Sequence, residues 1–404
     1  MKIVRNSIGK FKIIEYICTM KRGVAIMLIA MLCSQVQAQE KKNWLFRQVG
    51  NLAAFVDKMS VTGIDTNYIN IPEKPWQVIL RYNANDMLLR SSTKMDLQPL
   101  TEGEESAEMN WGTIISPRTS SSIGLWVGYR GYGLGYSLSL SEGHGRNFRF
   151  SATGSRYSIS LRLRRFKTDE LGIRLSGYDP EEGAFDWETE GYTDEPLSVH
   201  TTLVDGYYML NGKRFSHAAA YDQSAIQLRS AGSIVVGASW FYTSLNYVSN
   251  RNAFIIQIMN GIGRTQIYEG SVGVGYAYNW VPVKDLLVNI IAIPQFTLYN
   301  RAKVYLYESN YDALLESEET SLDGKMALPD EGTLPVDLSI TPTSTAEKHG
   351  NISLNFDARM SVTYQLGRCF INAYGQVNHY KHRFGSNHMK ITDWNINGSI
   401  GIRL

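Results

Sequence analysis

From Trp76 to its last residue the chain is written in short segments that alternate apolar and polar residues, the period-two signature of strands with one oily and one wet face. In Ile352 to Leu366, for instance, Ile352, Leu354, Phe356, Met360, Val362 and Tyr364 alternate with Ser353, Asn355, Asp357, Arg359, Ser361 and Thr363. In the last stretch Trp394, Ile396, Ile400, Ile402 and Leu404 alternate with Asp393, Asn395, Asn397, Ser399 and Arg403. Trp76, Val78, Leu80 and Tyr82 open the pattern, and Ile123 to Tyr129 and Tyr132 to Leu140 flank a tight turn at Gly131 with Gly133, Gly135, Ser137 and Ser139 on the second face. Further strands are predicted at Phe148–Ala152, Tyr157–Leu163, Leu171–Leu175, Leu197–Leu210, Ser224–Tyr247, Thr265–Trp280, Leu286–Leu306, Cys369–Lys381 and Met389–Leu404. The total is about twelve, an even number that returns both ends to one side of a closed sheet.

The expected fold is therefore all-β, an antiparallel transmembrane β-barrel with lipid on its oily face and a polar interior. Trp394 to Leu404 should close it against the segment that begins at Trp76 and present the signal read by barrel-assembly machinery, although Leu404 stands where an aromatic is common. Short connections are expected at Gly131, Lys167–Glu170, Val281–Asp285 and Gly367–Arg368, and long ones at Gly177–Pro196 and Glu308–Gly350, which fits periplasmic turns and extracellular loops. Both long connections are acidic and read as solvated, and their spacing does not match a helix-loop-helix calcium site. The parity change between Ala152 and Tyr157 calls for a bulge near Gly154, while Met87 to Ser116 reads either as extended strands or as an outer loop.

Ahead of the strands lies a different composition. Lys21 and Arg22, the apolar run Val24–Leu32 and small residues before Ala38 make residues 1–38 a secretory signal peptide, with Met20 as an alternative start. Leu32 occupies the place of the small residue that precedes a lipidated cysteine, which argues against lipidation at Cys33. Within 39–75, Leu45, Val49, Leu52, Phe55, Val56 and Met59 share a helical face, and Gly63–Pro75 reads as a linker. The helix should be periplasmic, packed on the barrel rim or, in a second reading, against a partner protein; the barrel proper is 76–404. After cleavage Cys369 is the sole cysteine, on the parity of Ile371, Ala373 and Val377, which reads as a small strand residue.

Charge and composition narrow the function. A net charge of +2 over 404 residues gives no reason to expect nucleic acid, and no cofactor or metal motif is present. Arg162, Arg164 and Arg174 fall on inward parities of neighbouring strands; they would either set anion preference in a water-filled lumen or pair with inward carboxylates such as Asp357, Asp393 or Glu269, with Arg359 on the same face as Asp357. No histidine precedes a serine by two residues, so the one-strand serine–histidine spacing of a barrel phospholipase is missing. His379, His382 and His388 lack a standard zinc spacing and read as solvated loop histidines.

One stretch breaks the alternation. Phe215, Ser216, Ala219, Ala220, Tyr221, Gln223 and Ser224, followed by Gln227, Arg229, Ser230, Ala231, Gly232 and Ser233, are too polar and too small for a lipid-facing strand and read as an inward fold at the periplasmic mouth, a plug or a rim brace, with a recognition site as the alternative. With Asp65-Thr66-Asn67-Tyr68-Ile69, this stretch resembles the uncharacterised Bacteroidetes family called domain of unknown function 4421, over nearly all of the mature chain. The resemblance implies an exported barrel-like protein and assigns no catalytic residue. The functional expectation is an outer-membrane barrel acting as a narrow channel or a structural membrane protein, not an enzyme. Its partners would be outer-membrane lipid, the assembly machinery and a small solute or periplasmic protein. A membrane-embedded hydrolase of lipid or glycan and a soluble periplasmic β-protein are the alternatives.

Overall fold

The computed structural model describes residues 44–97, 107–115, 120–140, 145–179, 183–259, 261–310, 339–384 and 387–404. Residues 1–38, expected to be a signal peptide, and the acidic run from Asp312 to Glu331 lie outside the described residues. The chain divides at Phe55 into two units. The first holds the opening turns of helix α1 (Trp44–Val61), and the second begins with its last turns at Val56.

In chain order the strands of the second unit are β1 (Ile69–Asn70), β2 (Trp76–Leu97), β3 (Ala107–Ile115), β4 (Ser120–Tyr129), β5 (Tyr132–Ser139), β6 (Arg146–Thr153), β7 (Tyr157–Asp179), β8 (Gly183–Met209), β9 (Ile226–Gln227), β10 (Ala231–Asn246), β11 (Ile262–Trp280), β12 (Leu286–Ser309), β13 (Ile340–His349), β14 (Leu354–Leu366), β15 (Cys369–Phe384) and β16 (Asn387–Arg403). Twelve of them close an antiparallel ring in the order β2, β4, β5, β6, β7, β8, β10, β11, β12, β14, β15, β16 and back to β2. The last strand meets the first in unbroken register from Arg403 opposite Gln77 to Asn387 opposite Thr93. Connections β4–β5, β6–β7, β11–β12 and β14–β15 are short and share one end of the ring, the turn end; the opposite end is the loop end.

The alternation seen in sequence is the in–out alternation of this wall. On β16, Ile396 and Ile400 are 56% and 60% exposed, whereas Asn395 and Asn397 are 2% and 1% exposed. The Arg130-Gly131 turn has positive φ at both residues, 51° and 90°, the mirror-image turn whose twist suits a two-residue hairpin. Facing inward beside it, Trp126 lies against Gly128 and Gly133, where any Cβ would overlap the indole ring.

Toward the loop end the amphipathicity inverts. On β2, inward Gln77, Arg81, Asn83 and Asn85 give way to buried Met87 and Leu89, while outward Leu80 and Tyr82 give way to exposed Arg90. On β15 and β16, Tyr380 and Ile391 turn inward and Lys381 and Lys390 outward. Met87, Leu89, Leu197, Val199, Phe241, Tyr380 and Ile391 thus form an apolar core inside the ring, with α3 (Ala253–Ile258) at its edge; the short helix α2 (His217–Tyr221) belongs to a separate cluster.

Several expected connections are strands instead. Lys167–Glu170 is no turn, because β7 runs through it to Asp179, and Gly177–Pro196 is no loop, because Gly183–Tyr192 pairs back on Glu170–Asp179. Met87–Leu97 prolongs β2, and β3 pairs with it and with β7. The parity change near Gly154 needs no bulge: it crosses a hairpin in which Thr153 faces Ser158. The linker carries β1, which pairs with β9.

The indole plate gives a test of the wall. Gly128→Ala is expected to lower stability by about 1–3 kcal/mol through overpacking. Gly398→Ala, where an added Cβ meets nothing within 4 Å, should leave the urea midpoint of the refolded protein unchanged.

Candidate functional site

The two segments that interrupt the alternation form one substructure across the turn end. Asp65 accepts the backbone N–H of Asn67 at 3.1 Å, which holds its carboxyl below the usual range, and its own N–H donates to Lys213 O. Leu228 N donates to Tyr68 O at 2.7 Å beside the β1–β9 pair, Arg214 reaches Asp65 at 3.4 Å, and the Arg214 and Arg229 guanidinium groups lie over the Tyr68 ring.

From there the chain folds into the ring. Phe215, Ala219, Ala220 and Tyr221 pack on Met209, Val235, Ala277, Leu287 and Ile291 of the wall. Ser216 caps α2, its Oγ accepting Ala219 N at 3.1 Å. Gln227 is satisfied at both ends of its amide: Oε1 accepts Ser216 N (2.9 Å) and Asn279 Nδ2 (2.8 Å), and Nε2 donates to Arg214 O and Arg229 O at 2.7 and 2.8 Å. Tyr221 OH donates to Asn289 Oδ1 at 2.7 Å, and Ser230 Oγ accepts Val281 N at 2.9 Å. Ser224 approaches Gly131, and Gly232 lies where a Cβ would strike the Tyr276 hydroxyl. Gln223 has φ of 53°, which aims its carbonyl at Gln77 Nε2 (2.6 Å) and at Arg403 Nε and Nη2 (3.1 and 2.8 Å). The polar groups of the motif are thus largely used to hold it in place.

Above this plug the lumen is crossed by ion pairs. Asp393 accepts Arg162 Nη2 at 3.1 Å and Arg164 Nη2 at 2.6 Å, and Arg164 also donates to Asn85 Oδ1 at 2.8 Å. Across from them Arg359 pairs with Asp205 at 2.7 Å and Asp357 at 3.3 Å, and Tyr207 OH bridges Asp357 and Arg359. All six charged groups are buried. Arg174 is not among them. It stands where β7 projects past the loop end, on the exposed hairpin, and its bond to Asp186 holds that carboxyl below the usual range. Its displacement follows from the continuation of β7 through the stretch read as a turn.

Glu269 serves none of the arginines. Its Oε2 lies 3.1 Å from His382 Nε2, outside hydrogen-bond alignment, and its Oε1 accepts Ser271 Oγ at 2.8 Å. His382 Nδ1 is 3.0 Å from Asn300 Oδ1. The serine therefore bonds the carboxylate and not the imidazole, so this cluster does not present a histidine-activated nucleophile. The three histidines read as loop residues are on strands: His382 faces in, His379 bonds Thr392 Oγ1 at 2.9 Å, and His388 is exposed. Arg81 and Arg403 fall on the polar face in sequence but carry no site reading there, and Asp205, Tyr207 and Arg149 are not singled out. Inward parity was the available signal, as for Asp205 between Leu203 and Tyr207, but a single polar residue among apolar neighbours carries it weakly.

Among solved structures the chain is similar to the β domain of the Bordetella autotransporter BrkA, at 10% identity over 80% of this chain and 100% of that one with a TM-score of 0.27. It is similar to the outer membrane protease OmpT from Escherichia coli, at 7% identity, 84% and 100% coverage and a TM-score of 0.28. The translocator domain of the autotransporter NalP from Neisseria meningitidis gives 10%, 89% and 95%, and 0.24. Likenesses this low do not bear on what this chain does. No curated protein matches the sequence. The family described as Domain of unknown function (DUF4421) matches residues 63–403, from just before the Asp65–Ile69 segment to the closing strand, and the chain belongs to that family.

Proposed function

We propose that the chain is an outer-membrane β-barrel with a closed lumen, a structural membrane protein and not an open diffusion channel. The observation that carries the reading is the filling of the ring at successive levels: the plug at the turn end, the ion pairs in the middle and the apolar cluster toward the loop end. An aqueous pore needs a continuous polar passage, and the apolar level opposes one.

The membrane part of the reading rests on the outer surface. Leu80, Tyr82, Val274, Tyr276, Ile290, Met360, Ile396 and Ile400 are exposed apolar groups on adjoining strands, far more than scattered surface residues. Trp76, Tyr208, Tyr278, Trp280 and Tyr364 ring the turn end, and Trp240 stacks on Tyr299 at 5.5 Å on the far side of the belt. From Trp280 to Gly270 of β11, strand rise and a tilt near 40° give a height of about 25 Å, the thickness of such a band. In this reading the turn end and its plug face the periplasm.

Reconstituted in planar bilayers, the protein is expected to show no stepwise conductance at any voltage; regular steps would overturn the closed lumen. Asp393→Ala leaves Arg162 and Arg164 side by side without their carboxylate and should cost about 3–5 kcal/mol in urea unfolding, the range for breaking a buried pair. Asp186→Ala, on the exposed hairpin, should have no measurable effect. Ile400→Arg should cost about 2–4 kcal/mol when folding is measured in lipid bilayers, since it places a cation near the middle of the oily band; an unchanged free energy there would count against membrane embedding.

A further inference from the structure

Arg81 is 6% exposed, yet its guanidinium makes no hydrogen bond and no ion pair with protein among the described residues. It lies over the Trp126 ring at 5.3 Å, and Trp126, wholly buried, has its indole N–H unpartnered. Arg149 comes from β6, three strands round the ring from β2, hydrogen-bonded to Tyr374 OH and over that ring, with no carboxylate in ion-pair contact. Between the two arginines is a cavity of about 20 Å³, lined also by Trp126, Asn83, Asn147 and Asn395. That volume holds one or two water-sized occupants. Gly124, Gly135 and Ser137, small residues of the inner wall, supply the room.

The charges around the cavity do not balance. Arg81, Arg149, Arg162, Arg164, Arg359 and Arg403 project into the ring, against Asp205, Asp222, Asp357, Asp393 and Glu269, the last of these beside His382 and beyond ion-pair distance of every arginine among the described residues. Asp393 and the Asp205–Asp357 pair are taken by Arg162, Arg164 and Arg359. Asp222 remains, acting on both Arg81 and Arg149 from beyond ion-pair distance while Thr153 bonds it. Water can satisfy guanidinium donors but cannot offset the charge, and a desolvated cation without a counter-charge is strongly disfavoured. From this geometry we propose that the cavity is a binding site for a small inorganic anion of halide size, held by Arg81, Arg149 and the Trp126 N–H. Arg81 and Arg149 would act as charge-assisted donors, and the asparagine amides as neutral ones.

The test is a chloride or bromide titration of the refolded full chain in detergent at constant ionic strength, with gluconate as the replaced anion. The wild-type melting temperature should rise saturably by several degrees, and the bromide-81 resonance should broaden on adding protein. Arg81→Met should abolish both effects, and in gluconate it should melt no lower than wild type, because it removes an unbalanced buried charge. Lys381→Gln, an exposed cation outside the lumen, should retain both. A wild-type melting temperature and line width indifferent to halide would overturn the proposal, as would an equal response from Arg81→Met; the wild-type line width decides the matter should that variant not fold.

Discussion

The carbonyl of Gln223 accepts hydrogen bonds from Gln77, at the start of the first ring strand, and from Arg403, at the end of the last. Those strands meet at the seam that closes the ring, so one backbone oxygen joins the plug to the seam from inside. Reaching it requires φ of 53° at a residue that is not glycine, a conformation that costs energy and persists only where its surroundings hold it. Here they do: Gln223 Nε2 donates to Ala220 O at 3.1 Å, and Asn372 of the neighbouring strand grips the same Ala220 carbonyl. Closure of the wall and filling of its mouth thus share one set of bonds. Gln77 Nε2 and Arg403 Nε have no other hydrogen-bond partner among the described residues.

The same coupling brings together two segments that are distant in sequence. Asp65–Ile69 precedes the first ring strand and Lys213–Ser233 separates β8 from β10, yet they share the β1–β9 pair and the Tyr68 ring. Their small residues let a short helix lie against the wall, and Gln227 supplies donors and an acceptor to backbone that has no sheet partner. A buried irregular segment needs such accounting, since each unpaired peptide group inside the ring would otherwise be left dry.

Period two was enough to read the ring, a total near twelve strands and the closing pair, because a strand with one apolar and one polar face cannot change register without turning its whole pattern over. It failed where the pattern inverts. Beyond the band of outward apolar residues the wall has apolar residues inside and Arg90, Lys381 and Lys390 outside. The alternation continues there with its meaning reversed, so Lys167–Glu170 looked like a polar turn and Gly177–Pro196 like a loop. Arg174 was misplaced for the same reason. Cross-ring partners were invisible for another: Arg359 with Asp205, or Glu269 with His382, are set by which strands face one another across the lumen, and local spacing holds no record of that.

The interior charges also separate a lining from a filling. In a conducting lumen, arginines stay hydrated and their field acts on passing ions. Here Arg162 and Arg164 converge on one carboxylate while Arg359 spans two, an arrangement that exchanges water for fixed partners and is intolerant of losing any of them. Such pairs add little net stability over an apolar core, but they constrain which strands may face each other, since a shifted register would leave a charge unpaired. Strand β16 brings Asp393 to β7, and β14 brings Arg359 to Asp205 of β8, so these pairs run across the ring, while the Arg359–Asp357 pair lies within β14. Their main effect is therefore on the shape of the ring: they fix its cross-section at mid-height, between a plug that fixes one mouth and an apolar core that fixes the other.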